Sequence, residues 1–411
     1  MNILFLTQVL PFPMDAGPKT RSYLVLRHLA KAGHRVYLVS LIRDEDRPEY
    51  IEHLRPYCSA IHTVLMRRSK TQDILSLIKS LGNGAPFLIE RDHVPAMANA
   101  VREVIQAAPS IDAVHADQLW MAPYAQLAAG CTKDTRAPLL VLDQHNAVFQ
   151  IPSRLAETER NVFKRALLKL EARKLTRYET MVCSTFDRVA WVTEEDRLAL
   201  FGGAYSAGKP GAHVVIPIAQ DLSNRPQIHR DEYANRITFI GGLHWPPNAR
   251  GVAWFLDKIW PRIKSKRPDS RVTIIGKSSL DNLKLNAYPG VEATGYVADP
   301  SRYLKETSVF IVPLLAGGGM RVKILDAWAW GLPIVSTKIG AEGLYARHSE
   351  NMLLADDPEA FAAGVLDIMQ DPSLAGRLVS GGRKTLEAQY DWNKIYAAWD
   401  SIYPRNPGAP V

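Results

Sequence analysis

The run from Val309 to Thr337, VFIVPLLAGGGMRVKILDAWAWGLPIVST, reads as strand, glycine turn, helix and strand. Two β-branched runs, Val309–Pro313 and Ile334–Ser336, enclose a helical pattern over Val322–Trp330, and Gly331-Leu332-Pro333 ends it. Glycines at a strand-to-helix turn (Gly317, Gly318, Gly319) let backbone N–H groups approach a ligand, and the helix N-terminus that follows favours an anion. With Arg321 and Lys323 beside them, these residues read as a phosphate or diphosphate site. The alternative is a plain glycine turn with two solvated cations. At about 100° per residue, Lys323 and Asp326 lie roughly 60° apart on one face, while Arg321 points about 160° from Lys323. Both cations reach one diphosphate only if the helix starts near Arg321. Asp326 is then placed to accept hydrogen bonds from a ribose diol, and Trp328 and Trp330 read as packing residues.

The same alternation runs along the whole chain. Strand candidates are Ile3–Thr7, Arg35–Ser40, Ala113–His115, Leu139–Leu142 and Arg188–Val192, then Arg236–Ile240, Arg271–Ile275, Val291–Thr294 and the two runs above. Helical patterns over Ser22–Ala32, Ala96–Ala107, Arg154–Tyr178 and Gly251–Arg267 lie between them. Strand-helix alternation implies parallel sheets covered on both faces, so the expected class is α/β, with two Rossmann-like doubly wound domains facing across a cleft. The pattern restarts near residue 236, after a Gly/Ala/Pro-rich connector over 202–230 whose one apolar run is HVVIPI. The expected domains are 1–205 and 206–385, with 386–411 returning to the first. Ligands of such sheets bind beyond the carboxyl ends of the strands.

The chain has 411 residues, 47% of them hydrophobic and 22% charged, which suits two domains with their own cores. Net charge is +8, and each half carries +4, so no basic tail or nucleic-acid domain is indicated. Cys58, Cys131 and Cys183 have no metal-like spacing and suit a reducing, cytoplasmic setting. The opening MNILFLTQVLPFP lacks a basic n-region and reads as a buried strand, and no uncharged run is long enough to span a bilayer. The protein is expected to be soluble, peripheral on a membrane at most.

Further candidates follow strands. Gly17, Lys19 and Arg21 lie in a loop after the first strand that reads either as a substrate loop or as a connector. His115 ends a strand beside Asp117, and His145 follows the next strand beside Asn146; the pair reads equally as catalytic or structural. In the Arg154–Tyr178 pattern, Phe163, Ala166, Leu167 and Leu170 form one stripe among many cations. A solvated outer face is favoured there over a membrane-surface contact. Asp44-Glu45-Asp46 lies between Arg43 and Arg47 and reads as a solvated charge cluster, not a metal site.

These residues together resemble glycosyltransferases of the GT-B fold, specifically family 4 (group 1). These are retaining enzymes that use nucleotide sugars, and the resemblance is to the subgroup found with bacterial exopolysaccharide systems. The similarity is carried by PxxxxAG ending at Gly17, LVLRHLAKAGHRV, HADQ, DQHN, ITFIGGLHWPPNARGVAWF, VTIIGK, VEATGYVADPSRYL, GGGMRVKILDAWAWGLPIVSTKIGAEGL and YDWNKIYAAWDSIY. It implies a donor nucleotide on the second domain, with its base near Gly295-Tyr296-Val297 and its ribose on Asp326. The diphosphate would meet Gly317–Gly319, Arg321 and Lys323, with Gly242, Asn248 and Arg250 nearby and the Gly17 loop closing over it. The acceptor, a glycan or lipid-linked sugar, would enter near His115 and His145, with Lys19, Arg21, Asp117 and Asn146 on its side. His115, His145, Arg321 and Lys323 are the implied catalytic groups. Neither metal nor cofactor is implied, because cations and a helix N-terminus stabilise the departing diphosphate.

Three departures accompany the resemblance. Relatives usually carry two glutamates with seven residues between them, and here those positions hold Gly318 and Asp326. The usual Arg and Lys after the first strand of the second domain are absent, leaving Asn248 and Arg250 there. A second histidine common after the His115 position is Asp117. A sugar-nucleotide epimerase on the same fold, or a non-catalytic nucleotide-binding partner in glycan assembly, are the competing expectations.

Overall fold

A computed structural model describes residues 1–132, 137–202, 212–224, 227–231, 234–277, 285 and 288–404. The chain divides into two compact units, Met1–Ile218 with Ile395–Val411, and Ala219–Lys394. The first contains a parallel sheet of seven strands: β1 Asn2–Thr7, β2 Arg35–Ile42, β3 Ala60–Leu65, β4 Ala113–Asp117, β5 Leu139–Gln144, β6 Arg188–Trp191 and β7 His213–Val215. Their order is β3-β2-β1-β4-β5-β6-β7. The second contains β8 Arg236–Ile240, β9 Arg271–Ile275, β10 Val291–Gly295, β11 Thr307–Val312, β12 Ile334–Ser336 and β13 Leu353–Leu354, in the order β10-β9-β8-β11-β12-β13. Every strand pairing is parallel. The α/β doubly wound class expected from the alternation is therefore observed.

Both strand orders reverse once, between β1 and β4 in the first sheet and between β8 and β11 in the second. At such a switch point the crossovers leave for opposite faces, and their loops part to leave a crevice beyond the strand ends. The β-branched runs build the sheets because they are covered on both faces: β11 is buried along its whole length. Each unit has its own core, with Val39, Val114, Leu142 and Trp191 in the first and Phe239, Trp260, Val309 and Phe361 in the second.

The structure adds three strands and moves several boundaries. β3, β7 and β13 are edge or near-edge strands too short or too polar to stand out in the sequence. β7 lies inside the stretch read as a connector, so the first unit extends past residue 205; residues 203–211 and 225–226 of that stretch lie outside the described residues. The Arg154–Tyr178 pattern is two helices, Gln150–Thr158 and Val162–Thr185, because Asn161 caps the second by accepting from the Lys164 N–H at 3.0 Å. Its stripe of Phe163, Leu167 and Leu170 is exposed, since the helix buries Ala172, Leu175, Val182 and Cys183 instead. The Gly251–Arg267 pattern begins at Pro246 and passes through a π-turn at Phe255–Ile259. Pro261 explains that turn, since it has no N–H to give the preceding turn of helix.

The helix Pro246–Trp254 comes very close to the end of β11. A Cβ at Gly251 would lie 2.5 Å from the Pro313 carbonyl oxygen, a backbone atom that cannot rotate away. Gly251→Ala is therefore expected to push this helix outward and lower stability by about 1–3 kcal/mol, measured by denaturant unfolding. An unchanged midpoint would contradict the close approach.

Candidate active site

In the first unit, the chain brings Arg21, His115, Asp117 and His145 together beyond β4 and β5, around a residue the sequence reading passed over, Asp143. Arg21 is fully buried, and its Nε donates to both Asp143 oxygens at 2.8 and 2.9 Å. Its Nη1 donates to the Ile216 carbonyl at 2.6 Å, which ties the helix Gly17–Lys31 to the chain just past β7. Asp117 takes the Ser22 hydroxyl at 2.9 Å on one oxygen and His145 Nε2 at 3.0 Å on the other. His115 is stacked on Phe5, and its Nδ1 lies 2.9 Å from the Tyr403 hydroxyl. Arg21 thus faces inward, not toward an acceptor.

The charges of this cluster answer one another. Burial works against a charge on His145, but Asp117 and Asp143 outweigh it and hold the imidazole up at about 9. Burial likewise penalises ionised Asp143, yet Arg21 and His145 keep its carboxyl well below the usual range. His115 goes the other way, because burial dominates and pushes its ring down to about 4. His115, Asp117 and Asp143 offer ligand atoms within 4.8 Å of one another. A divalent ion there would compete with Arg21 and cationic His145, which already occupy the Asp143 and Asp117 oxygens. The residues do not fit a metal.

The remaining first-unit candidates are less enclosed. Gly17 opens its helix with Pro18 in the first turn, as that position favours. Lys19 pairs with Asp15 at 3.2 Å, and Asn146 is half-buried with its carbonyl 2.9 Å from Gln144 Nε2. Asp44 pairs with Arg67 at 3.3 Å, and Asp46 accepts from the Arg43 N–H at 2.8 Å, as a charge cluster would.

In the second unit, the candidates that follow β8 and β11 gather at the switch point between those strands, while Gly295, Tyr296 and Val297 lie at the end of β10. The helix Val322–Trp330 starts where the sequence pattern starts it, and Arg321 is its N-cap. The Arg321 side chain turns back, and its Nη1 donates to the Gly318 and Gly319 carbonyls. The turn is shaped for glycine, with φ +135° at Gly317 and +73° at Gly319. A Cβ at Gly317 would lie 3.0 Å from Arg321 Nη2. Lys323 leaves the first turn in another direction, donating to Asn248 Oδ1 at 3.0 Å with its ammonium 4.3 Å from the Phe239 ring centre. Asn248 in turn donates to the Gly242 carbonyl at 2.9 Å, so the loop after β8 and the helix after β11 are joined through Lys323.

Among the described residues no carboxylate forms an ion pair with Lys323, and its charge is poorly supported. Burial and then Arg321 push its ammonium down to about 7, and Asp326 opposes them only in part. Asp326, half-buried on the same helix, accepts from Gln220 Nε2 at 3.0 Å. Gln220 is buried and went unnoticed in the connector. Its backbone N–H is fixed on the Tyr390 carbonyl, so it holds the acid from a rigid base. Arg250 is half-buried on the helix Pro246–Trp254. Gly295 ends β10, while Tyr296 is 48% exposed with Lys277 Nζ 5.9 Å from its ring centre and Val297 is half-buried beside it. Trp328 is core, donating to the Asn351 carbonyl at 3.0 Å.

Residues 234–371, which lie within the second unit, match the family described as glycosyl transferases group 1. Over 98% of this chain and its own full length, an uncharacterized 44.6 kDa protein in the cps region of Klebsiella pneumoniae is 23% identical. The lipopolysaccharide core biosynthesis glycosyltransferase LpsE of Rhizobium meliloti is 31% identical across 28% of this chain and 35% of its own. Among solved structures, Anabaena HepE in complex with UDP-glucose has a TM-score of 0.66 at 13% identity, covering 98% of this chain and 99% of that one. This likeness speaks for the fold, which is GT-B.

Removing one partner of a buried ion pair leaves the other charge uncompensated. Arg21→Met is accordingly expected to destabilise the protein by about 3–5 kcal/mol in equilibrium unfolding. A loss within experimental error would mean that Asp143 is neutral in the native state.

Proposed function

We propose that this protein is a retaining glycosyltransferase that moves a hexose-type sugar from a UDP- or GDP-sugar to a glycan or lipid-linked acceptor. Its setting would be surface polysaccharide or glycoconjugate synthesis on the cytoplasmic side. The observation that carries the reading is the poorly compensated Lys323 cation in the first turn of the helix that follows Gly317–Gly319, at a topological switch point and inside the region that matches group 1 glycosyltransferases. The UDP-glucose complex of HepE, on the same fold, supports a nucleotide-sugar donor.

In this mechanism the diphosphate lies against the helix N-terminus and beside Lys323, while Asp326, steadied by Gln220, takes the ribose hydroxyls. The bond from the anomeric carbon to the diphosphate oxygen breaks. The acceptor oxygen bonds to that carbon on the same face, and its proton passes to the departing phosphate oxygen. Lys323 and Arg321 stabilise the negative charge that grows on the leaving group. Buried Asp117 and cationic His145 keep the acceptor-side loops in place.

A thermal-shift panel of UDP, GDP, CMP and NAD tests the donor class. UDP or GDP should raise the melting temperature, because a ligand of the native state stabilises it. Lys323→Ala should weaken that binding by about tenfold or more, a loss of roughly 1.4 kcal/mol. Selective stabilisation by NAD would overturn the reading. Gly318, where relatives carry a glutamate, supports a second reading as a non-catalytic nucleotide binder. Binding without transfer or hydrolysis across donor and acceptor panels would favour it.

The lowered Lys323 pKa gives this binding a pH signature. Below about 7 the ammonium is already charged, and the free protein binds a diphosphate without taking up a proton. Above about 7 the free lysine is neutral, and the bound anion must draw a proton onto it. Affinity for UDP or GDP should therefore fall as pH rises from 7 to 9, by up to about tenfold per unit. Calorimetry at pH 8 in buffers of different ionisation enthalpy should register proton uptake, and Lys323→Met should abolish it.

A further inference from the structure

The helix Lys70–Asn83 buries almost nothing. Ser80 is its only buried residue, while Ile74, Leu75, Ile78 and Leu81 stand 56–62% exposed along one side. The helix Val162–Thr185 repeats the pattern in its first two turns, where Val162 is 62% exposed and Phe163 87%. Leu167 and Leu170 continue that stripe at 42% and 39% exposed. At about 100° per residue this stripe lies opposite Ala172, Leu175 and Glu179, which face the core. The two helices are joined. Lys174 Nζ donates to the Ser80 carbonyl at 2.7 Å, and Glu171 accepts from the Phe87 and Leu88 N–H groups just after the first helix.

Uncovered apolar side chains on two joined helices form a surface built to be covered, since each leaves apolar area in water that burial would stabilise. The charge around them identifies the cover. Lys169, Arg173 and Arg177 flank the stripe on one side, and Lys164, paired with Glu159 at 3.1 Å, on the other. Glu171, the acid between Lys169 and Arg173, is engaged by the two backbone N–H groups. A second copy packed across a two-fold axis would set these cations against themselves. An apolar stripe flanked by Lys and Arg instead matches a bilayer, with acyl chains below and anionic headgroups around it. No helix among the described residues is long and apolar enough to cross a membrane.

We propose that the first unit docks on an anionic lipid surface through these two helices, with Phe163, Ile74 and Ile78 entering the headgroup–acyl boundary. This reverses the preference for a solvated outer face, because the apolar stripe that should have met the core points away from it. The proposal stands independently of the transferase reading.

Flotation of the full chain tests it, with vesicles of phosphatidylcholine alone or with about 30% phosphatidylglycerol. The protein should float with the anionic vesicles at least about tenfold more than with neutral ones, and salt should release it. Phe163→Glu with Ile78→Glu should reduce this at least about tenfold, and Lys169→Glu with Arg173→Glu should abolish the anionic preference. Melting temperature, and its shift with UDP or GDP, should not change in these variants, which separates a failure here from a failure of the donor site. Absence of flotation, or equal flotation of Phe163→Glu with Ile78→Glu, would overturn the proposal. So would a soluble dimer that Ile78→Glu dissociates.

Discussion

Parallel strands cannot be joined by tight turns, and each connection must cross one face of the sheet before returning. When consecutive crossovers take opposite faces, the loops at the reversal separate, and nothing in the sheet itself fills the space between them. This constraint organises both units. Beyond β1 and β4 it assembles Arg21, Asp117 and His145; beyond β8 and β11 it assembles Asn248, Lys323 and the three glycines. Residues far apart in sequence meet there because the topology leaves them one place to meet.

The two crevices are filled in opposite ways. In the first unit the buried charges of the cluster find counter-charges, with Arg21 on Asp143 and His145 on Asp117. In the second, Lys323 rests on a neutral amide and an aromatic ring while Arg321 adds repulsion. Burying an unbalanced cation is costly, and the ammonium answers by loosening its proton. An arriving anion relieves that imbalance. This contrast is what supports placing the proposed anion site in the second crevice and not in the first.

Much of this was legible in the chain itself. The turn from Gly317 to Arg321 and the helix Val322–Trp330 were readable because glycines, cations and a 3.6-residue period occur within one short window. β3, β7 and β13 were not, since edge strands of two to six residues carry little periodicity. Asp143 lay unnoticed beside His145 because a carboxylate in a strand declares its role only when Arg21 is placed against it. Gln220 and Tyr403 gave no local signal at all. Their partners, Asp326 and His115, are set by tertiary packing, and no spacing rule reaches across such separations. The exposed stripe on Val162–Thr185 misled for a related reason: helical period announces an apolar face but not which side the core lies on.

The chain returns to its first unit only at Ile395, where Trp399 packs 5.5 Å from the Arg21 guanidinium, Asp400 meets His28 at 2.9 Å and Tyr403 holds His115. During synthesis, the ribosome makes the whole second unit before it delivers these residues. At about 5–20 residues per second, the nascent first unit waits on the order of ten to thirty seconds with that flank of its buried cluster open. The second unit, continuous in sequence, has no such interval. The segment that completes the first unit is thus delivered after every residue of the second.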